Sequence, residues 1–165
     1  MTSANARPRE RRRATDLDVM RFSLALAPGH LIRRAQQLHT ELWSSVVGDD
    51  LTSPQFAVLL TLHQQPLIDQ TKLSRLASLD TSTCQDIVTR LYRKGLVVRG
   101  RDPSDGRRWS LQLTPEGNRV LRDALPKAEE VGVRLVESLN ERGRHELRRM
   151  LTQIAKIPPE DAAAG

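Results

Sequence analysis

The side chains best suited to directional contacts crowd one part of the chain. Thr81, Ser82, Thr83, Gln85 and Asp86 run almost without interruption, and Thr89 and Arg90 follow about one helical turn later. Hydroxyls, an amide and a guanidinium of this kind hydrogen-bond to base edges and phosphate oxygens in little space. Part of the cluster also serves to start a helix, since Asp80 or Thr81 is placed to cap one, but the others outnumber what capping needs. A second group follows: Arg99, Arg101, Arg107 and Arg108, with Asp105 just before Arg107. Arginine grips phosphates and guanine edges with two prongs, and at a narrow tip it can enter a minor groove. Asp105 can hold the Arg107 guanidinium by a charge-assisted hydrogen bond. The plainer alternative is a solvated hairpin carrying a surface ion pair of little energetic weight.

Other chemistry has less to work with. The histidines His30, His39, His63 and His145 show no metal-ligand spacing such as H-x-x-x-H. Neither a nucleophile elbow nor a phosphate-binding glycine loop is present, so no enzyme, metal or cofactor is expected. The single cysteine, Cys84, falls on the same helical face as Ile87, Val88 and Leu91, where a small apolar residue suits packing. A redox sensor is the alternative there, although no second cysteine exists to resolve a sulfenate within the subunit. A formal charge of +6, mostly arginine, suits a polyanionic partner. No apolar run approaches bilayer length, and the N-terminal arginines precede no apolar stretch, so no membrane association and a cytoplasmic location are expected.

Elements must hold these residues in place. With 165 residues and only 3% aromatics, the chain suits one domain whose core of Leu, Val, Ile and Ala favours helix. Leu31, Ala35, Leu38, Leu42 and Val46 recur at helical spacing from Pro28 to Val47, and Gly48 ends that run. Thr52-Ser53-Pro54 opens a helix that reaches about Gln64. Asp69 caps a short helix from about Gln70 to Ser78, burying Leu73, Leu76 and Ala77, and the next runs from Thr81 to Lys94. The period then changes: residues 96–99 and 109–113 read as strands around the turn Asp102-Pro103-Ser104-Asp105-Gly106. Thr114-Pro115 starts a long helix to about Leu139, with a kink expected at Pro126, and Asn140 or Glu141 opens the last helix. The fold class is therefore mainly α with a small β wing. A winged helix-turn-helix spans about 52–113, between flanking helices at about 28–48 and 115–157, within one domain at 17–157. Such a unit lays its second helix in the major groove of duplex DNA. Residues 1–16 form a basic arm, either a solvated tail or a source of phosphate contacts, and 158–165 form a tail.

At this point the chain resembles the MarR family of bacterial transcription regulators. The resemblance rests on Leu91-Tyr92-Arg93-Lys94-Gly95-Leu96-Val97, on Asp102-Pro103-Ser104-Asp105-Gly106-Arg107-Arg108, and on Leu113-Thr114-Pro115-Glu116-Gly117. The helix order from Pro28 to about Ile157 also follows the family. The resemblance implies a homodimer with interlocked first and last helices, a pseudo-palindromic operator, and repression relieved by a small ligand. The amphipathic flanking helices agree, and a dimer would set two reading helices about one DNA turn apart. The polar run Pro28-Gly29-His30-Leu31-Ile32-Arg33-Arg34 is similar to the first helix of relatives that respond to aromatic carboxylates, hydroxylated nicotinates among them. There His30 and Arg33 or Arg34 would pair with the carboxylate, and His39 and Trp43 would meet the ring. Solvent-facing arginines and packing histidines are the alternative, as a winged-helix scaffold that binds only protein is for the whole chain.

Overall fold

The computed structural model describes residues 14–101 and 109–156. The chain divides into two compact units, residues 1–37 and 38–165. In the first, a capping box opens helix α1 (Asp16–Arg21). The Thr15 N–H and hydroxyl both donate to Asp18, at 2.9 and 2.8 Å, and the Asp18 N–H donates back to Thr15 at 3.3 Å. These bonds hold the Asp18 carboxyl below its ordinary pKa. A 3₁₀ turn follows at Leu24–Leu26. Neither element was expected, because apolar periodicity announces neither. The helix overlaps the arm at Asp16, and local polar bonds rather than burial define its start. Leu17, Met20, Phe22 and Leu26 remain exposed.

Helix α2 (Pro28–Val46) begins in this unit, and its last turns belong to the second, where Trp43 is buried. Gly48, at φ +98°, closes it as the sequence predicts. Thr52 and Gln55 form the capping box of α3 (Ser53–Gln64), which carries Phe56, Val58, Leu59 and Leu62 into the core. Asp69 caps α4 (Gln70–Leu76) through the Lys72 N–H at 2.8 Å. This helix stops short of the expected Ser78, because Ser78 turns into the left-handed region at φ +54°. Of its expected inner face Leu73 is fully buried, whereas Leu76 and Ala77 are half-buried. Helix α5 (Thr81–Arg93) buries Cys84, Ile87, Val88 and Leu91, the face that the spacing predicts.

Strands β1 (Val97–Arg101) and β2 (Trp109–Leu113) pair antiparallel, with Val97 opposite Leu113, Arg99 opposite Leu111 and Arg101 opposite Trp109. A further bridge, unannounced by the sequence, joins Ile68 to Leu111: the Leu111 N–H donates to Ile68 at 2.9 Å and the Leu67 N–H to Leu111 at 3.0 Å. The hairpin is thereby stitched to the segment entering α4. Mainly helical architecture with a two-stranded wing is the expected fold class.

Thr114 caps α6 (Pro115–Leu135), its hydroxyl accepting the Gly117 N–H at 2.9 Å and donating to the Gly95 carbonyl at 2.7 Å. The Thr114 N–H donates to the Leu96 carbonyl at 3.0 Å. Gly117 is required here, since a Cβ would lie 2.1 Å from that same carbonyl oxygen. The helix continues through the exposed Pro126. It ends at Leu135 rather than about Leu139, and the chain turns until Asn140 caps α7 (Glu141–Ala155). No residue of α7 is buried, and Met150, Leu151 and Ile154 lie open.

Candidate nucleic-acid interface

The outer side of α5 is built from its first residue upward. Asp80 is the N-cap and accepts the Thr83 N–H at 2.9 Å. Its carboxylate also accepts the Ser82 hydroxyl at 2.6 Å and the Thr83 hydroxyl at 2.5 Å. These donors, Ser82 foremost and then Thr83, hold the Asp80 pKa well below the usual carboxylate range. Capping thus occupies more of the cluster than the sequence suggests, and leaves the Ser82 and Thr83 hydroxyls as acceptors. Thr89 is half-buried and donates to the Gln85 carbonyl at 2.8 Å. Thr81, Gln85, Asp86 and Arg90 are exposed. Helical spacing turns the row Ser82, Asp86 and Arg90 away from the buried Cys84–Leu91 face and sets Thr81 and Gln85 along that face's border.

The hairpin continues this surface. Arg99 is exposed, its guanidinium carbon 5.9 Å from the centre of the Tyr92 ring, close enough for a cation–π contact. Tyr92, 52% exposed on α5, thus positions a cation of the wing, a role that sequence reasoning missed. An aromatic directly after Leu91, at the edge of the helix's apolar face, was the available signal, and it names no partner on the wing. Arg101 lies opposite Trp109 in the ladder. Asp105, Arg107 and Arg108 lie outside the described residues, as does the turn between the strands. Trp109, Leu111, Arg99 and Gln70 line an open pocket of about 290 Å³ between the hairpin and the start of α4.

Residues 51–109 match the MarR family model. The transcriptional regulator HosA of Escherichia coli O111:H- is 36% identical over 102 residues, which are 62% of this chain and 75% of HosA. The chain belongs to the MarR family. Among solved structures, the PcaV transcriptional regulator of Streptomyces coelicolor, in complex with its natural ligand, superposes with a TM-score of 0.77 at 38% identity. That match covers 82% of this chain and 96% of PcaV. BpsR of Bordetella bronchiseptica, whose DNA binding is regulated by 6-hydroxynicotinic acid, superposes with a TM-score of 0.79 at 26% identity, over 83% of this chain and 99% of BpsR. The protein is a MarR-family winged-helix transcriptional regulator.

The residues expected to meet an effector fall in both units of this MarR-family chain. In the first, His30 is half-buried, and Arg33 and Arg34, three and four residues on, are exposed. In the second, His39 is half-buried with its ring 5.9 Å from that of Trp43, which lies 5.3 Å from Phe56. The Trp43 N–H donates to the Leu51 carbonyl at 2.7 Å, which satisfies its polar atom within the core. Cys84 is fully buried, and burial first, with the Asp80 charge second, pushes its thiol pKa up. That environment disfavours the thiolate on which oxidation depends. Among the described residues no group of three or more His, Cys, Asp or Glu is placed to hold a metal ion, and no helix is long and apolar enough to cross a membrane.

Proposed function

We propose that this regulator is a homodimeric repressor that reads a pseudo-palindromic operator with α5 and the hairpin and is released by an aromatic carboxylate. The observation that carries the DNA reading is the polar, exposed side of α5 continuing into an arginine-bearing hairpin. Thr81, Gln85, Asp86 and Arg90 face the bases, with Ser82 and Thr83 as acceptors and Thr89 as an edge contact. Arg99, Arg101, Arg107 and Arg108 hold phosphates or the minor groove, and Asp105 orients Arg107. The exposed apolar side chains of α6 and α7, Leu125, Val133, Met150, Leu151 and Ile154, support pairing with a second copy. In the first unit His30, Arg33 and Arg34 supply charge for a carboxylate, and in the second His39 and Trp43 are candidates for the ring. PcaV with its natural ligand and the regulation of BpsR by 6-hydroxynicotinic acid support a small-molecule effector.

Salt titration tests the DNA reading. Affinity for duplex falls steeply with salt, and Arg107→Ala lowers the log–log slope by about one. Salt-insensitive behaviour with no duplex binding favours a protein-binding scaffold instead. A panel of aromatic carboxylates, 6-hydroxynicotinate included, shifts the melting temperature and weakens duplex binding if the effector reading holds. A flat response across the panel removes it.

A further inference from the structure

Trp109 lies at the end of the ladder away from α5, opposite Arg101, with 59% of its surface in solvent, while Leu111, two residues on, is buried. Its indole offers a broad apolar face to a partner. The ring shares its pocket with Gln70, the first residue of α4, and with Arg99, whose guanidinium is held over Tyr92. An apolar plane, a positioned cation and a neutral amide therefore meet where the wing lies beside the start of α4. Together they match a deoxyribose flanked by a phosphate: the sugar packs on the indole, the phosphate oxygens accept from the guanidinium, and the amide completes the rim. A small ligand fits less well, because small-molecule sites enclose roughly 70–90% of their occupant. A pocket whose main wall is 59% exposed suits a partner that continues past its edge. The basic hairpin supplies the charge complementarity for such a polyanion.

We propose that Trp109, Arg99 and Gln70 form a seat for one strand of the DNA backbone between the wing and the start of α4. This rests on the DNA-binding reading above and adds to it an apolar contact that reads no base. The chain has two tryptophans, and the other, Trp43, is buried, so the emission lost in Trp109→Phe isolates Trp109. The probe is a random-sequence duplex of about 40 base pairs at about 50 mM salt, where backbone contacts dominate binding. Acrylamide quenching of Trp109 drops at least about twofold when duplex is added, as the ring leaves solvent. Trp109→Ala weakens binding about fivefold at every salt concentration, because the lost contact carries no charge, and Trp109→Phe weakens it less. Arg99→Ala instead flattens the salt dependence by about one phosphate. Melting temperatures of the variants confirm that each is folded.

The proposal is overturned if the full chain binds duplex while Trp109 stays equally quenchable, or if Trp109→Ala binds as tightly as the parent. It is also overturned, in favour of an effector site, if an aromatic acid alone shields Trp109 and duplex does not. If the parent binds no duplex at all, this proposal and the DNA reading fall together.

Discussion

Gly117→Ala concentrates the physical argument for how α6 is attached to the reading head. Adding a Cβ at this position places it 2.1 Å from the Leu96 carbonyl oxygen and 3.0 Å from its carbon, where ordinary contact begins at 3.4 Å. Both sides of the clash are main chain, so no rotamer change relieves it. The same carbonyl accepts the Thr114 N–H at 3.0 Å, so moving it strains the cap of α6 as well. Overpacking of this kind costs about 1–3 kcal/mol. Alanine returns about 1 kcal/mol through helix propensity, which leaves a net loss of up to about 2 kcal/mol. In a chain of this size that lowers the melting temperature by up to about 8 °C. Gly132→Ala on the same helix is the control, because its Cβ would meet nothing within 4 Å. It gains helix propensity alone and stabilises by up to about 1 kcal/mol. Urea denaturation followed by circular dichroism, at one protein concentration because the proposed dimer ties stability to it, compares the two. If Gly117→Ala is as stable as Gly132→Ala, the close approach at Leu96 does not constrain the fold, and the reasoning is wrong.

Ser78, left-handed at φ +54° in the turn between α4 and α5, carries strain that glycine relieves. Ser78→Gly gains about 0.5–1 kcal/mol, and Ser78→Val loses more than that, both readable as shifts in urea midpoint. The depressed Asp80 pKa makes part of the stability acid-sensitive. Above its ordinary value near 3.8 the carboxylate is ionised in both states, and below that value the unfolded chain takes up the proton first. Its contribution is thus present at neutral pH and drains away as pH falls from about 5 through the lower folded pKa. Asp80→Asn keeps a capping group but loses the charge. Its melting temperature therefore falls less steeply than the parent's between pH 7 and 3, and parallel curves contradict the assignment.

Periodicity revealed the elements that pack and passed over those that only bond. The inner face of α5, Cys84-Ile87-Val88-Leu91, was legible because burial imposes a helical period on residue type. Helix ends were legible where a residue has a special backbone need, at Gly48 and Gly95, and at the capping residues Thr52, Asp69 and Thr114. The stop at Leu76 was not, because the left-handed residue there is a serine, which carries no such signature. Helix α1 escaped notice because it buries nothing, and the bridge between Ile68 and Leu111 because main-chain pairing leaves little mark on side-chain type. In the site, the polar residues of α5 were visible by type. How far Asp80 occupies the Ser82 and Thr83 hydroxyls depends on side-chain geometry that spacing does not encode. The pairing of Tyr92 with Arg99 joins a helix to a strand through the fold and has no local pattern at all.

The role of Gly117 bears on how release would reach the DNA. Thr114 donates to the Gly95 carbonyl through its hydroxyl and to the Leu96 carbonyl through its N–H, while Gly117 brings α6 against that same Leu96 carbonyl. Gly95 and Leu96 are the corner where α5 ends and β1 begins. Three ties over so few residues make the start of α6 and this corner one joint, without slack in which a displacement could dissipate. In the proposed switch, an effector that shifts α6 therefore shifts the end of α5 and the root of the wing with it. A loosened joint would separate the two events. Gly117→Ala is then expected to weaken the coupling between effector and duplex more than it weakens either binding alone, a difference that a double titration reads as a reduced linkage factor.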